Sequence, residues 1–131
     1  MEARFKVVYD DLPAIEVLRH EADDRGNVFT LLTPIEHCQL KIPAGFESDG
    51  ASVPRAFWGL VFPAEDMKSM FAAMVHDFIY RTHPAGWTKK MADEEFRHLL
   101  ERCKVPAKRA YFAYLGVKLF GGPSWRAGGT K

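Results

Sequence analysis

Three segments of the chain carry residue types at spacings suited to chemistry. In His76-Asp77-Phe78-Ile79-Tyr80 the histidine and the tyrosine stand four apart, so on a helix they project from one face. Asp77 is turned from His76 by about 100° and cannot orient the imidazole from within the same turn. Its nearest partner is Arg81 at i,i+4, a surface pair worth roughly a few tenths of a kcal/mol. A histidine–carboxylate dyad therefore needs an acid from elsewhere. Asp93, in Met91-Ala92-Asp93-Glu94-Glu95-Phe96, borders an apolar stripe and supplies one. His76 lies seven residues before His83 and Asp93 six after Trp87. In an antiparallel helix pair, at about 1.5 Å per residue, the two side chains reach similar depth from the connection. Asp93 would there accept the His76 N–H, fix its tautomer and support a charged imidazole, as a general base requires. The structural alternative is a buried histidine satisfied by a neighbouring acid, with no chemistry.

The third segment is the loop Glu47-Ser48-Asp49-Gly50-Ala51-Ser52-Val53-Pro54-Arg55. Asp-Gly calls for a turn, and Pro54 fixes its own φ while pushing Val53 towards extended backbone. Asp49, Gly50, Ser52 and Arg55 would present carbonyls and a carboxylate to a cation or substrate, or would form a structural crossover with Trp58 plugging the core below it. The other histidines lack such company: His20 sits among charges, His37 has no ligand partner at useful spacing, His83 precedes a proline, and His98 falls on a polar helix side. Cys38 and Cys103 read as small core residues and match no zinc spacing. No phosphate-binding glycine loop and no serine elbow is present.

The elements that must position these groups change character midway. Phe5–Tyr9, Ile15–Arg19, Val28–Leu32 and Cys38–Ile42 are short, β-branched or aromatic, and bounded by turn residues, with Asp24-Arg25-Gly26-Asn27 as a hairpin loop. After Pro63, with Glu65 and Asp66 in an acidic first turn, Met67, Met70, Phe71, Met74 and Phe78 recur at helical spacing to about Arg81. His83-Pro84-Ala85-Gly86-Trp87 breaks this helix. A second starts at Thr88 as N-cap and buries Ala92, Phe96, Leu99 and Cys103; a third runs from Pro106 to the stop at Gly121-Gly122-Pro123. The expected fold is α+β, a small antiparallel N-terminal sheet followed by a C-terminal three-helix region. We expect one domain over 1–131: strands in 1–45, a crossover loop in 46–62, helices in 63–121 and a basic tail in 122–131.

Composition narrows the function classes. Of 131 residues 47% are hydrophobic and 27% charged, enough to build a core and too much for wholesale disorder. No apolar run approaches the roughly 20 residues of a transmembrane helix, and the start, MEARFKVVYDD, does not read as a signal peptide. A reduced, cytoplasmic protein is the expectation. Residues 1–101 hold 11 basic and 17 acidic side chains, whereas 102–131 hold seven basic and none acidic. That basic segment would face a partner or dock on its own acidic body; interleaved with Tyr111, Phe112, Tyr114 and Phe120, it is no specific nucleic-acid motif.

Taken in order, Asp49-Gly50-Ala51-Ser52-x-Pro54-Arg55, Ala72-Ala73-x-x-His76-Asp77-x-x-Tyr80, Ala92-Asp93-x-x-Phe96 and Gly121-Gly122-x-x-Trp125 resemble domain of unknown function 1353. That family comprises small proteins of phages, prophages and bacteria. The resemblance implies a phage or prophage setting, in the bacterial host cytoplasm or the virion, and carries no reaction. The pair His76-Asp77-x-x-Tyr80-Arg81 and Asp93-x-x-Phe96 is also similar to the two central helices of secreted bacterial phospholipases of the A-two type. That likeness implies His76 as base for a water, Asp77 as calcium ligand with Asp49 in part of the loop's place, Asp93 as orienting acid, and Tyr80 bonded to that acid. The chain lacks the cysteines that staple those helices, and its loop does not match their glycine-rich calcium loop. Two functions follow as expectations: calcium-assisted hydrolysis of a phospholipid or other ester, or a non-enzymatic tail or baseplate component among virion proteins. A His-Asp phosphohydrolase with two metals at His37, His76 and Asp77 would need a larger all-helical bundle.

Overall fold

A computed structural model describes residues 2–22, 26–48, 55–57 and 67–129, with Ala22, Asn27 and Arg55 described by their backbone alone. Asp49, Gly50, Ser52, Trp58, the Arg55 side chain, the acidic turn at Glu65 and Asp66, and the tip of the expected Asp24–Asn27 loop lie outside these residues. Four strands form one antiparallel sheet in the order β1 (Ala3–Val7), β2 (Ile15–Ala22), β3 (Gly26–Leu31), β6 (Glu47–Ser48). Period-2 burial sets its register: Val17 and Leu31 stand opposite one another and both are fully buried, while Arg4 and Lys6 point outward from β1.

The expected strand at Cys38–Ile42 is instead half of a small hairpin, β4 (Ile35–His37) paired with β5 (Leu40–Ile42). Its two turn residues, Cys38 and Gln39, have φ of 48° and 69°. A two-residue hairpin turn needs positive φ at both positions to match strand twist, which is why Asn-Gly is the usual pair. Holding two ordinary side chains there costs about 1–2 kcal/mol each. Ile35, Leu40 and Ile42, all buried, hold the hairpin against the core and offset that strain.

Helix α1 (Met70–Thr82) is central: from Met70 to Tyr80 only Phe78 is not fully buried. A helix apolar on nearly every side must be covered on every side. It begins at Met70, later than the periodicity suggests, and ends where His83 turns left-handed (φ 45°) and donates its N–H to Ile79 O. Thr88 caps α2 (Lys89–Arg102) by accepting from Met91 N at 3.2 Å, as expected. The α2 face carrying Ala92, Phe96, Leu99 and Leu100 packs on α1 and on α3 (Ala107–Phe120).

The small buried stripe of α3, Ala110, Ala113 and Gly116 beside Val117, allows close approach. At Gly116 an added Cβ would lie 2.6 Å from the ring of Phe57, in the 3₁₀ turn Arg55–Phe57. The third helix does stop at Gly121, but a further helix follows among the described residues, α4 (Gly122–Ala127), with proline in its first turn. The segment expected as a tail is docked: the Trp125 ring stacks on His83 at 3.7 Å, and Gly129 N bonds to Arg81 O. The fold is α+β, an antiparallel sheet followed by helices.

Candidate functional site

Helix α1 presents His76 and Tyr80 on one face, and α2 brings Asp93 to meet them. His76 Nε2 lies 2.9 Å from Asp93 Oδ1, and the Tyr80 hydroxyl donates to the same oxygen at 2.7 Å. The two side chains thus lie at matching depth from the connection between the helices. Since an ionised carboxylate only accepts, His76 donates to it through Nε2.

A fourth group completes the cluster. Lys89, one turn before Asp93, donates to Asp93 Oδ2 at 2.8 Å and to the carbonyls of Val117 and Lys118 at 2.9 and 3.2 Å. One ammonium therefore neutralises the buried acid and caps the C-terminus of α3. The i,i+4 spacing of Lys89 and Asp93 is the sequence signal for it.

The imidazole and the carboxylate are both buried. The His76 side chain is 0% exposed and that of Asp93 3%. The imidazole lies between Tyr80 and Phe96, with ring centroids 4.2 and 4.5 Å away. Ala72 and Ala73, on the turn before His76, are themselves buried in packing. Burial pushes the Asp93 carboxyl up, but bonds from His76, Lys89 and Tyr80 outweigh it and hold the group below its ordinary range. The Tyr80 phenol is pushed well above its ordinary value, first by burial and then by its bond to the Asp93 carboxylate.

Asp77 does pair with Arg81, at 3.4 Å, yet not as a surface pair: the Asp77 side chain is 3% exposed. Arg81 also donates to Glu47 O, tying α1 to β6. Asp49, the expected co-ligand of Asp77, lies outside the described residues, as do Gly50, Ser52 and the Arg55 side chain. His37 finds a partner that no local spacing announces, Glu95 Oε2 at 2.6 Å and 58 residues away. Cys103 is buried as expected, whereas Cys38 is exposed in the hairpin turn and is no core residue.

The chain matches, over residues 29–117, the family described as "Protein of unknown function (DUF1353)", and it belongs to that family. No curated protein and no solved structure matches it. Among the described residues, no helix is long and apolar enough to cross a membrane.

Proposed function

We propose that the protein is a non-enzymatic component of a phage or prophage particle, such as a tail or baseplate protein, whose His76–Tyr80–Asp93–Lys89 cluster braces the helices. The observation that carries this reading is the burial of the imidazole between two rings while both oxygens of its carboxylate partner accept strong donors. A general base must reach the proton that it removes, directly or through one water. The outer side of α3 supports a protein partner: Tyr111, Phe112, Leu119 and Phe120 are exposed on a helix that already has a buried face. The phage setting rests on the family resemblance. Quantitative protein analysis of purified particles tests the proposal: a fixed copy number supports it, and absence from particles removes it. Charge reversal at Lys108 and Arg109 lowers that copy number if the basic segment adjoins the partner.

One observation favours a second reading, a hydrolase acting on a phospholipid or another ester. The Nε2 bond to Asp93 fixes the orientation of the imidazole, as the acid partner of a general base does. In that reading Asp77 and Asp49 hold calcium, and membrane lipid is the partner. Calcium-dependent release of fatty acid from phospholipid vesicles, lost in folded His76→Ala and Asp93→Asn variants, would establish it. No release by folded wild type with calcium present would dispose of it.

A further inference from the structure

We propose that His37, Cys38 and Glu95 form a binding site for one divalent metal ion of the zinc class, with a fourth coordination position open to solvent. The site is separate from the buried cluster. Glu95 and Asp93 are two residues apart on α2, so their side chains leave the helix about 200° apart. Asp93 turns towards α1 and Glu95 towards the β4–β5 hairpin.

The hairpin turn makes the donor set. In a regular strand, neighbouring residues point to opposite faces, so a histidine followed by a cysteine would diverge. The left-handed backbone of Cys38 folds its side chain back, and Sγ stands 3.4 Å from His37 Nε2. Glu95 Oε2 closes the triangle, 2.6 Å from that nitrogen and 4.0 Å from the sulfur. One ligand atom from each of the three residues lies within 4.8 Å of the others.

A tetrahedral ion with bonds of about 2.0–2.3 Å holds its donors roughly 3.3–3.8 Å apart. The nitrogen–sulfur separation already fits, and the sulfur–oxygen separation is within a few tenths of an ångström of that range. The short nitrogen–oxygen distance is a hydrogen bond that gives way when the ion takes the place of its proton. Edge-on packing of the His37 ring against Phe71, at 5.9 Å, holds the imidazole in position.

The donor chemistry selects the metal. Thiolate, imidazole and carboxylate together suit a borderline ion such as zinc, whereas calcium and magnesium take oxygen donors. Three protein donors and a free position also distinguish such a site from the closed four-ligand structural kind. The free position faces a cleft of about 640 Å³. Arg102 also lines the cleft, and its guanidinium is engaged by Asp11, with Nε 3.2 Å from Oδ2. That positive charge beside the site is thus partly neutralised.

The full chain, stripped of metal by a chelator, is titrated with cobalt(II) and then with zinc. One equivalent of cobalt is expected to bind, giving a thiolate-to-cobalt charge-transfer band that one equivalent of zinc abolishes. Cys38→Ser is expected to lose the band, and His37→Ala and Glu95→Gln to weaken zinc binding at least about tenfold. Cys38 is exposed and Glu95 half-buried, so circular dichroism should show both variants folded. Absence of stoichiometric binding by wild type would overturn the proposal. So would a charge-transfer band surviving in Cys38→Ser, which would assign it to Cys103.

Discussion

Lys89 and Asp93 stand one helical turn apart with 2.8 Å between ammonium and carboxylate, and that pair joins three helices. The carboxylate takes up the donors of α1, while the ammonium reaches on to the last carbonyls of α3. Removing either partner leaves a charge in a poorly hydrated place, and breaking such a pair costs more than the pair itself contributes. Asp93→Ala is expected to destabilise the fold by about 3–5 kcal/mol. Lys89→Met, at a side chain 24% exposed, is expected to cost about 1.5–3 kcal/mol. Urea denaturation of both variants measures the two values and their order.

His76 separates brace from base. His76→Ala opens a void between Tyr80 and Phe96 and strips one donor from Asp93, an expected loss of about 3 kcal/mol. His76→Phe fills the space and removes only the ring's polar contacts, so its expected loss is smaller, about 1–2 kcal/mol. Melting temperatures should rank wild type, Phe and Ala in that order. An equal loss in both variants would mean that the hydrogen bond, and not the packing, carries the residue's contribution.

Stability should fall at both ends of the pH scale for separate reasons. The Asp93 carboxyl is held below its ordinary 3.8, so its contribution is complete above that value and disappears as pH falls through the lower folded-state pKa. The Tyr80 phenol is raised above its ordinary 10.0, so its contribution is complete below pH 10 and declines as pH rises beyond it. Denaturant midpoints of chelator-treated protein should show an acid limb that Asp93→Ala loses and an alkaline limb that Tyr80→Phe reduces.

Gly128 sets how closely the last helix lies on α1. An added Cβ would stand 2.0 Å from the backbone oxygen of Tyr80, which cannot step aside as a flexible side chain would. Gly128→Ala is expected to lift α4 away and to cost about 1–3 kcal/mol. Fluorescence of Trp125, now stacked on His83, reports the displacement.

The hairpin turn offers the opposite sign. Gln39 sits at φ 69°, where glycine meets no steric objection, so Gln39→Gly should stabilise by about 1 kcal/mol. A melting temperature unchanged or lowered would show that the Gln39 side chain contributes more than its backbone strain costs.

What could be read in advance followed the range of the interactions. The His76–Asp93 pair was legible because two helices with a short connection convert residue counting into depth, and Thr88 was legible because capping is local. His37–Glu95 was not, since 58 residues separate the partners and only tertiary packing joins them. Cys38-Gln39 does not look like a turn, because nothing in either side chain favours positive φ; the buried isoleucines around it impose the bend. Gly121-Gly122-Pro123 marked the end of a helix correctly, yet proline at the start of a helix is also favourable, and the chain resumed one. Asp77 reads as half of a surface pair because its i,i+4 partner Arg81 is in view; burial from other elements is invisible at that range.

Helix α2 is keyed on opposite flanks, by Asp93 on one side and Glu95 on the other. Such a rod has no slack about its long axis, since any spin that shortens one attachment stretches the other. Inserting a single residue before Asp93 would swing both carboxylates by about 100° and unseat them together. A change of length in this stretch would therefore release the helix from both neighbours at once.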